Sequence, residues 1–325
     1  MVAGVKGVAF LDGDTMAVTS STCHELFLVS ASRREVLRSI SLGGDFRAES
    51  LCVVPGTRVV LVADGLGTVC RVDTEAEPAA VSRAATSAHH AGGAMRLTSV
   101  CAWDAATCFV AGAVRGAKTE CGVRRVDLAG GRVAEVACLA APMVRALCAE
   151  PGKGRILVGA IDVADEGARD ATTRLVALAS ARDFRGPPAT LATVAGFVHA
   201  IAPDPRREDV YVLLGRHGGS KWAAPVTVVR LLASGGHAPL ACLCAVERTL
   251  PITFANAVSA FSYHGLMAGV FGVRAGREHA MALAPDGTLV TGCVDKGSKG
   301  VLQLWSLDVA PAAAGTAAPP GAPNV

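Results

Sequence analysis

A glycine-rich segment of the chain carries side chains that are typical of a binding loop. Residues 215–225 contain Arg216, His217, Lys221 and Trp222. Trp and Arg are the residue types most often found as energetic anchors of protein–protein interfaces. We therefore predict that these four side chains bind a protein partner. The alternative is that Trp222 only covers the base of its own loop.

A second segment has the residue types that bind hard cations. Residues 162–172 hold Asp162, Asp165, Glu166 and Asp170, and Ca²⁺ prefers several carboxylate oxygens. The spacing of these acidic residues does not fit the EF-hand motif. We therefore expect a solvated acidic loop rather than a metal site.

The elements that position these two segments follow from an internal repeat. Residues 48–73 run through an apolar strand, a turn, a second strand that ends in small residues and a third strand with alternating polar positions. Residues 143–178 repeat that order. A period of about 45 residues is typical of a β-propeller, in which each repeat is one four-stranded blade. The sequence therefore predicts a single all-β propeller with four-stranded antiparallel blades.

The number of blades depends on how the last part of the chain is divided. Five units begin near residues 5, 48, 96, 143 and 197, and residues 256–308 contain five further strand-like runs. We predict seven blades, with six as the alternative. We also expect residues 301–307 to pair beside the first strand, because sharing a blade between both ends of the chain removes exposed strand edges.

The two candidate segments occupy the same place in neighbouring blades. Residues 162–172 and 215–225 each lie between the second and third strands of their units. Insertions at corresponding places emerge on one face of a propeller, and that face is often the binding face. We therefore expect the two segments to lie side by side.

One blade resembles the WD40 repeat. Residues 279–307 contain a Pro-Asp-Gly turn, a Thr-Gly-Cys segment and a terminal Leu-Trp-Ser. The Gly-His dipeptide of that family is missing, and Trp305 is followed by Ser instead of Asp. The resemblance covers about one blade and implies a rigid platform for protein partners.

A second resemblance points to a different function. Residues 48–73, with Ala-Asp-Gly-Leu-Gly and Arg-Val-Asp, are similar to blades of the SMP-30/gluconolactonase-like and NHL-like propellers. Members of the first group can hold a divalent metal in the central channel with Glu, Asn and Asp side chains. This resemblance implies Glu49 and Asn256 as metal ligands of a metal-dependent hydrolase, although the sequence shows no matching Asp.

Composition argues against several other classes of protein. The chain has 325 residues, a formal net charge of +3 and no cluster of Lys and Arg, so we expect no nucleic-acid partner. No apolar stretch approaches the roughly 18 residues of a membrane helix, and the chain reaches Asp12 before any long apolar run, so we expect neither a membrane span nor a signal peptide. The 11 Cys lie mostly in apolar runs without a CxxC motif, which favours an intracellular, cytoplasmic location.

Two functional hypotheses follow. We expect one propeller domain over residues 1–308 and a disordered tail over residues 309–325, which are rich in Ala, Pro and Gly. The first hypothesis is a non-enzymatic WD40-like scaffold that mediates protein–protein interaction within a larger complex and needs no cofactor. The second is the metal-dependent hydrolase, which would use the central channel. The sequence favours the scaffold, because it contains neither a nucleophile elbow nor a His-Glu-x-x-His helix.

Overall fold

Strands account for nearly all of the regular structure in the described part of this chain. The computed structural model describes residues 5–20, 23–86, 95–114, 120–163, 171–204, 209–215, 227–231, 237–239, 248–251, 280–284, 288–294 and 300–306. These residues form 24 β-strands, which combine into six four-stranded sheets. Two single-turn 3-10 helices lie at Pro151–Lys153 and Ser180–Arg182. No helix among these residues is long and apolar enough to cross a membrane.

Each sheet is one blade, and the first three blades come from the first half of the chain. Blade 1 contains β1 (Val5–Phe10), β2 (Thr15–Ser20), β3 (Glu25–Ser30) and β4 (Glu35–Ser41). Blade 2 contains β5 (Ala48–Val53), β6 (Val59–Asp64), β7 (Thr68–Asp73) and β8 (Ala80–Thr86). Blade 3 contains β9 (Met95–Ala102), β10 (Thr107–Val114), β11 (Glu120–Asp127) and β12 (Val133–Ala140).

The described strands of the rest of the chain form three more blades. Blade 4 contains β13 (Met143–Glu150), β14 (Arg155–Val163), β15 (Ala171–Ala179) and β16 (Ala189–Ala195). Blade 5 contains β17 (Phe197–Pro203), β18 (Val210–Gly215), β19 (Thr227–Leu231) and β20 (His237–Pro239). Blade 6 contains β21 (Arg248–Pro251), β22 (Ala280–Leu283), β23 (Thr288–Val294) and β24 (Gly300–Ser306).

The six sheets stand in a ring. In blades 1 to 5 the strand order follows the chain, and the strands pair in antiparallel fashion. The innermost strands β1, β5, β9, β13, β17 and β22 contact one another in this order, and β22 contacts β1. This arrangement confirms the predicted all-β propeller with four-stranded antiparallel blades. The described residues account for six blades and do not confirm a seventh; residues 252–279 and 307–325, with the predicted tail, lie outside them.

The ring closes differently from the prediction. Blade 6 has the order β21-β24-β23-β22, so its outermost strand comes from the chain that precedes its innermost strand. The strand β24 pairs with β23 and β21, whereas β1 pairs with β2. The expected pairing of residues 301–307 with the first strand is therefore wrong. Blades 1 and 6 pack face to face instead, since Val5 and Val18 share one buried cluster with Val290 and Leu302.

The hydrophobic core lies between the blades rather than in one central cluster. Five buried clusters each join two adjacent blades: four link blades 1 to 5 in succession, and the fifth links blade 6 to blade 1. The second strand of a blade is therefore covered on both faces. In β6, for example, every side chain is buried. This packing explains a chain that is 51% hydrophobic but only 4% aromatic, because Val, Leu, Ala and Cys fit between sheets that lie about 10 Å apart.

The described cysteines mostly belong to this core. Five of them are buried: Cys70, Cys101, Cys108, Cys121 and Cys148. Burial raises the pKa of Cys108 and of Cys148 to about 12, so both thiols stay protonated and inert at neutral pH. Cys138 is an exception, because it is exposed. At these five positions Cys therefore acts as a small hydrophobic residue of the core.

Glycines in two second strands let neighbouring blades approach closely. A Cβ placed on Gly292 of β23 would lie 2.3 Å from Val5 Cγ1 of β1. A Cβ placed on Gly159, at the equivalent position of β14, would lie 2.8 Å from Val198 Cγ1 of β17. Each glycine thus accepts the valine at the start of the next inner strand. At Gly292 this contact lies on the junction that closes the ring.

Substitution of Gly292 by Ala should weaken ring closure. The added methyl group would overlap with Val5, and overpacking of a protein core typically costs about 1–3 kcal/mol. We expect a lower midpoint in denaturant unfolding followed by circular dichroism. Gly13→Ala is the matched control, because nothing lies within 4 Å of a Cβ at that position. Equal midpoints for the two variants would contradict the role of Gly292.

Candidate functional site

Five of the inner strands are interrupted by a β-bulge at the same place. The pairing of the inner with the second strand skips one residue in β1, β5, β9, β13 and β17. The skipped residues are Lys6, Glu49, Thr98, Arg145 and His199. A bulge leaves its extra residue outside the ladder and re-aims its side chain. All five residues line a single cavity at the centre of the propeller.

This cavity is the mouth of the central channel. It lies near the face of the propeller at which the inner strands begin, and we call that face the upper face. The cavity holds about 190 Å³, and all six inner strands contribute to its wall, with Ala280 and Met281 from β22. Second strands end at the same face, because they run antiparallel to the inner strands. In blade 5, for example, Gly215 at the end of β18 lies opposite Phe197 at the start of β17.

Hydrogen bonds between neighbouring inner strands hold the bulges in position. The Val100 N–H donates to Ser50 Oγ at 3.3 Å, and the Leu147 N–H donates to Ser99 Oγ at 2.9 Å. Ser50 and Ser99 directly follow the bulged residues of their strands. Each hydroxyl therefore joins its blade to the next blade beside the cavity, where it satisfies a backbone donor on that strand.

The charged side chains of the cavity are arranged around one carboxylate. Glu49 Oε2 lies 3.2 Å from Lys6 Nζ, and Glu49 Oε1 lies 3.5 Å from Arg96 Nη2. The side chains of Lys6 and Glu49 are each 20% exposed, so this ion pair is partly shielded from water. Together with Arg145, the wall carries three cations and one carboxylate. The cavity therefore has a formal charge of +2 (3 − 1) when His199 is neutral.

Arg145 differs from the other two cations because it forms no ion pair with a described carboxylate. Its Nε donates to Met143 Sδ at 3.3 Å, and its guanidinium carbon lies 5.2 Å from the centroid of the Phe197 ring. Burial lowers the pKa of Arg145, an effect that Glu49 opposes and Arg96 reinforces. The guanidinium nevertheless stays charged at neutral pH, because its ordinary pKa is above 12.

His199 lies beside this guanidinium as a neutral ring. Burial lowers the pKa of His199 to about 3, and the positive charges of Arg145 and Lys6 act in the same direction. The imidazole packs against Phe197 with ring centroids 5.5 Å apart. His199 is therefore uncharged throughout the physiological pH range and adds no positive charge to the cavity.

Only some of the residues that the sequence analysis proposed as functional are among the described residues. Glu49 lies in the channel, as the hydrolase resemblance implies, but its carboxylate is shared by two cationic side chains. Asn256 lies outside the described residues, and within them no group of three His, Cys, Asp or Glu could hold a metal ion. Asp162 forms an ion pair with Arg174 of β15, whereas residues 164–170 lie outside the described part of the chain.

The predicted partner-binding loop also lies outside the described residues. These masked positions include Arg216, His217, Lys221 and Trp222. The strand β18 ends at Gly215, which lies at the upper face. The predicted loop therefore follows directly on a strand end at the face that carries the cavity.

Sequence reasoning missed the other polar residues of the cavity. The signal was a polar residue between a buried valine and a small residue near the start of three inner strands. It reads Val-Lys-Gly at Lys6, Val-Arg-Ala at Arg145 and Val-His-Ala at His199. In the sequence, each of these residues is indistinguishable from a polar residue on the exposed face of an alternating strand. Only the bulges in the strand pairing direct all three side chains into one cavity.

Comparison with known proteins supports the fold and leaves the function open. No known protein-family model matches the sequence, and no curated protein matches it. Among solved structures, hydrazine synthase of Kuenenia stuttgartiensis is similar, with 14% identity and a TM-score of 0.54 over 90% of this chain and 74% of that chain. The β-propeller domain of Cps50 (Swd1) from Myceliophteria thermophila has 10% identity and a TM-score of 0.53 over 93% and 82%.

A third similar structure comes from a multiprotein assembly, the mitotic checkpoint complex. It shares 15% identity and a TM-score of 0.51 over 93% of this chain and 76% of that chain. At such low identity these similarities establish the β-propeller fold alone. They include an enzyme and a component of a complex, so the site itself has to decide between the two functional hypotheses.

The lowered pKa of His199, a partly buried residue, predicts a loss of stability on mild acidification. The unfolded chain binds a proton at this histidine below pH about 6.5, whereas the folded chain does so only near pH 3. Stability should therefore fall as the pH drops from 6.5 towards 3, by at most about 1.4 kcal/mol per pH unit. Between pH 7.5 and 5.0 we expect His199→Gln to lose less stability than the parent in denaturant unfolding.

Titration of the His199 imidazole tests this prediction directly. In an NMR titration of the folded protein, the His199 ring resonances should stay constant between pH 5 and pH 8. A midpoint near pH 6.5 would show that His199 gains a proton in the native state and would contradict the prediction.

Proposed function

We propose that this propeller is a non-enzymatic scaffold that binds a protein partner across its upper face. The observation that carries the proposal is the cavity in the channel mouth, where bulges on five inner strands present polar side chains with an excess of positive charge. Packing between adjacent blades fixes the inner strands that carry these side chains. Such preorganisation favours binding, because little ordering cost is left for the moment of association.

The groups in the cavity suit binding better than proton transfer. A general acid or base works best when its pKa lies near the working pH. The pKa of His199 is lowered to about 3, which makes it a weak base at neutral pH. Glu49 is held between Lys6 and Arg96, so its oxygens are already engaged. These properties support a binding platform over the metal-dependent hydrolase.

The hairpins between the second and third strands of blades 4 and 5 extend the proposed surface. The strands β14 and β18 end at the upper face, beside the starts of β13 and β17. We assign partner contact to Arg216 and Trp222 of the loop that follows β18, with His217 and Lys221 next to them in sequence. The eight described cysteines are free thiols, which suits a partner encountered in a reducing intracellular compartment.

The double variant Arg216→Ala, Trp222→Ala should lose its protein partner. Anchors of the Trp and Arg type typically cost 2 kcal/mol or more when truncated, roughly a 30-fold loss of affinity. The measurement is affinity capture from an extract of the native source, with the captured protein identified and quantified by mass spectrometry. Thermal unfolding of the variant should match that of the parent.

A variant on the opposite face provides the control. Arg33 lies in the turn between β3 and β4, away from the starts of the inner strands, and its side chain is 72% exposed. Arg33→Ala should capture the same partner as the parent. Retention of the partner by the double variant, or its loss by Arg33→Ala, would show that the upper face is not the interface.

A further inference from the structure

We propose that the channel mouth is a receptor for one acidic side chain: a Glu or Asp of the partner protein inserts into the cavity and places its carboxylate on Arg145. This inference rests on the proposed function and adds the chemistry of the contact. The single feature behind it is a guanidinium that lines the cavity and lacks an acidic partner among the described residues. The other charged groups of the cavity are Lys6, Glu49 and Arg96.

Arg145 has unused donors at the cavity. A guanidinium carries five N–H donors in a planar fork that matches a carboxylate. One of them, on Nε, goes to Met143 Sδ, and a thioether sulfur is only a weak acceptor. The guanidinium carbon of Arg145 also lies 5.2 Å from the centroid of the Phe197 ring, within the range of a cation–π contact. The fork is therefore held in place while most of its donors are free for a ligand.

The local charge favours an anion as that ligand. The one carboxylate of the cavity is paired with Lys6 and Arg96, so it acts on Arg145 only at longer range and offsets its charge in part. An incoming carboxylate would meet a net charge of +2 in a partly buried setting, where electrostatic attraction is stronger than in water. A cationic or neutral side chain would leave the partly buried Arg145 without a compensating charge, which is unfavourable.

The size of the cavity limits the ligand to a group as large as a side chain. Its volume is about 190 Å³, whereas pockets for drug-sized ligands measure about 300–1,000 Å³. One water takes about 30 Å³ in the liquid, so the cavity has room for about six groups of that size, and a Glu side chain has five non-hydrogen atoms. Met143 and Ile201 provide apolar wall for the methylene groups that connect a carboxylate to its backbone.

Capped tripeptides test the inference directly. N-acetyl-Ala-Glu-Ala-amide has the Glu side chain as its only charge, and N-acetyl-Ala-Gln-Ala-amide is the neutral match. We expect the Glu peptide to bind at least tenfold more tightly than the Gln peptide, measured by NMR titration of the full chain. Arg145→Met should remove this preference, because Met keeps an apolar stem without donors. Arg145→Lys should retain part of it.

A second variant keeps the test valid if Arg145→Met fails to fold. Glu49→Gln removes the competing carboxylate, so it should tighten binding of the Glu peptide several-fold. Equal binding of the two peptides by the parent protein, or unchanged binding in Glu49→Gln, would overturn the inference. Binding of free propionate or inorganic phosphate without binding of the Glu peptide would also overturn it, because the ligand would then be a small anion.

These outcomes are distinguishable from failure of the scaffold function. If Arg145→Met captures the same partner as the parent while the Arg216→Ala, Trp222→Ala variant does not, the upper face binds a protein without an acidic side chain in the channel. If both variants keep the partner, the interface itself is wrong. Loss of the partner in Arg145→Met, with unfolding like that of the parent, is the result we expect.

Discussion

The centre of this propeller depends on the close packing of Val5 against Gly292, because that contact joins the last blade to the first. No hydrogen-bonded strand pair crosses this junction among the described residues. Its stability comes from apolar packing between two sheets, in which even one methyl group at Gly292 has no room. The channel is enclosed on all sides only when this junction is closed, because β1 and β22 meet there and both line the cavity.

The bulges place polar side chains in the channel and so create the candidate binding site. A regular inner strand would alternate its side chains between two faces that are both packed against neighbouring blades. The extra residue in β1, β5, β9, β13 and β17 stands outside the ladder, so a charged side chain can face the axis while its neighbours stay buried. Serine hydroxyls at Ser50 and Ser99 then bond the adjacent blade. The bulges thus have two effects. Each bulge frees a side chain for the cavity, and in β5 and β9 the serine that follows the bulge also bonds the next blade.

The sequence predicted most of the blades and little of the site. The repeat of residues 48–73 predicted three strands in the order in which β5, β6 and β7 occur, because turns and apolar runs are local signals. Closure of the ring was mispredicted, since face-to-face packing of Val5 on Gly292 leaves no pattern along the chain. Arg145 and His199 were missed for a related reason: a bulge is a property of the pairing between two strands. The number of blades beyond six and the partner loop stay predictions.

The direction of the strands at the two ends of the chain has a practical consequence for handling the protein. The strand β1 begins at Val5 on the upper face, next to the channel mouth, whereas β24 runs parallel to β22 and reaches Ser306 on the opposite face. A fluorescent protein or affinity tag fused directly before Val5 would be attached beside the channel mouth. A tag fused directly after Ser306 would be attached at the opposite face, away from the channel mouth.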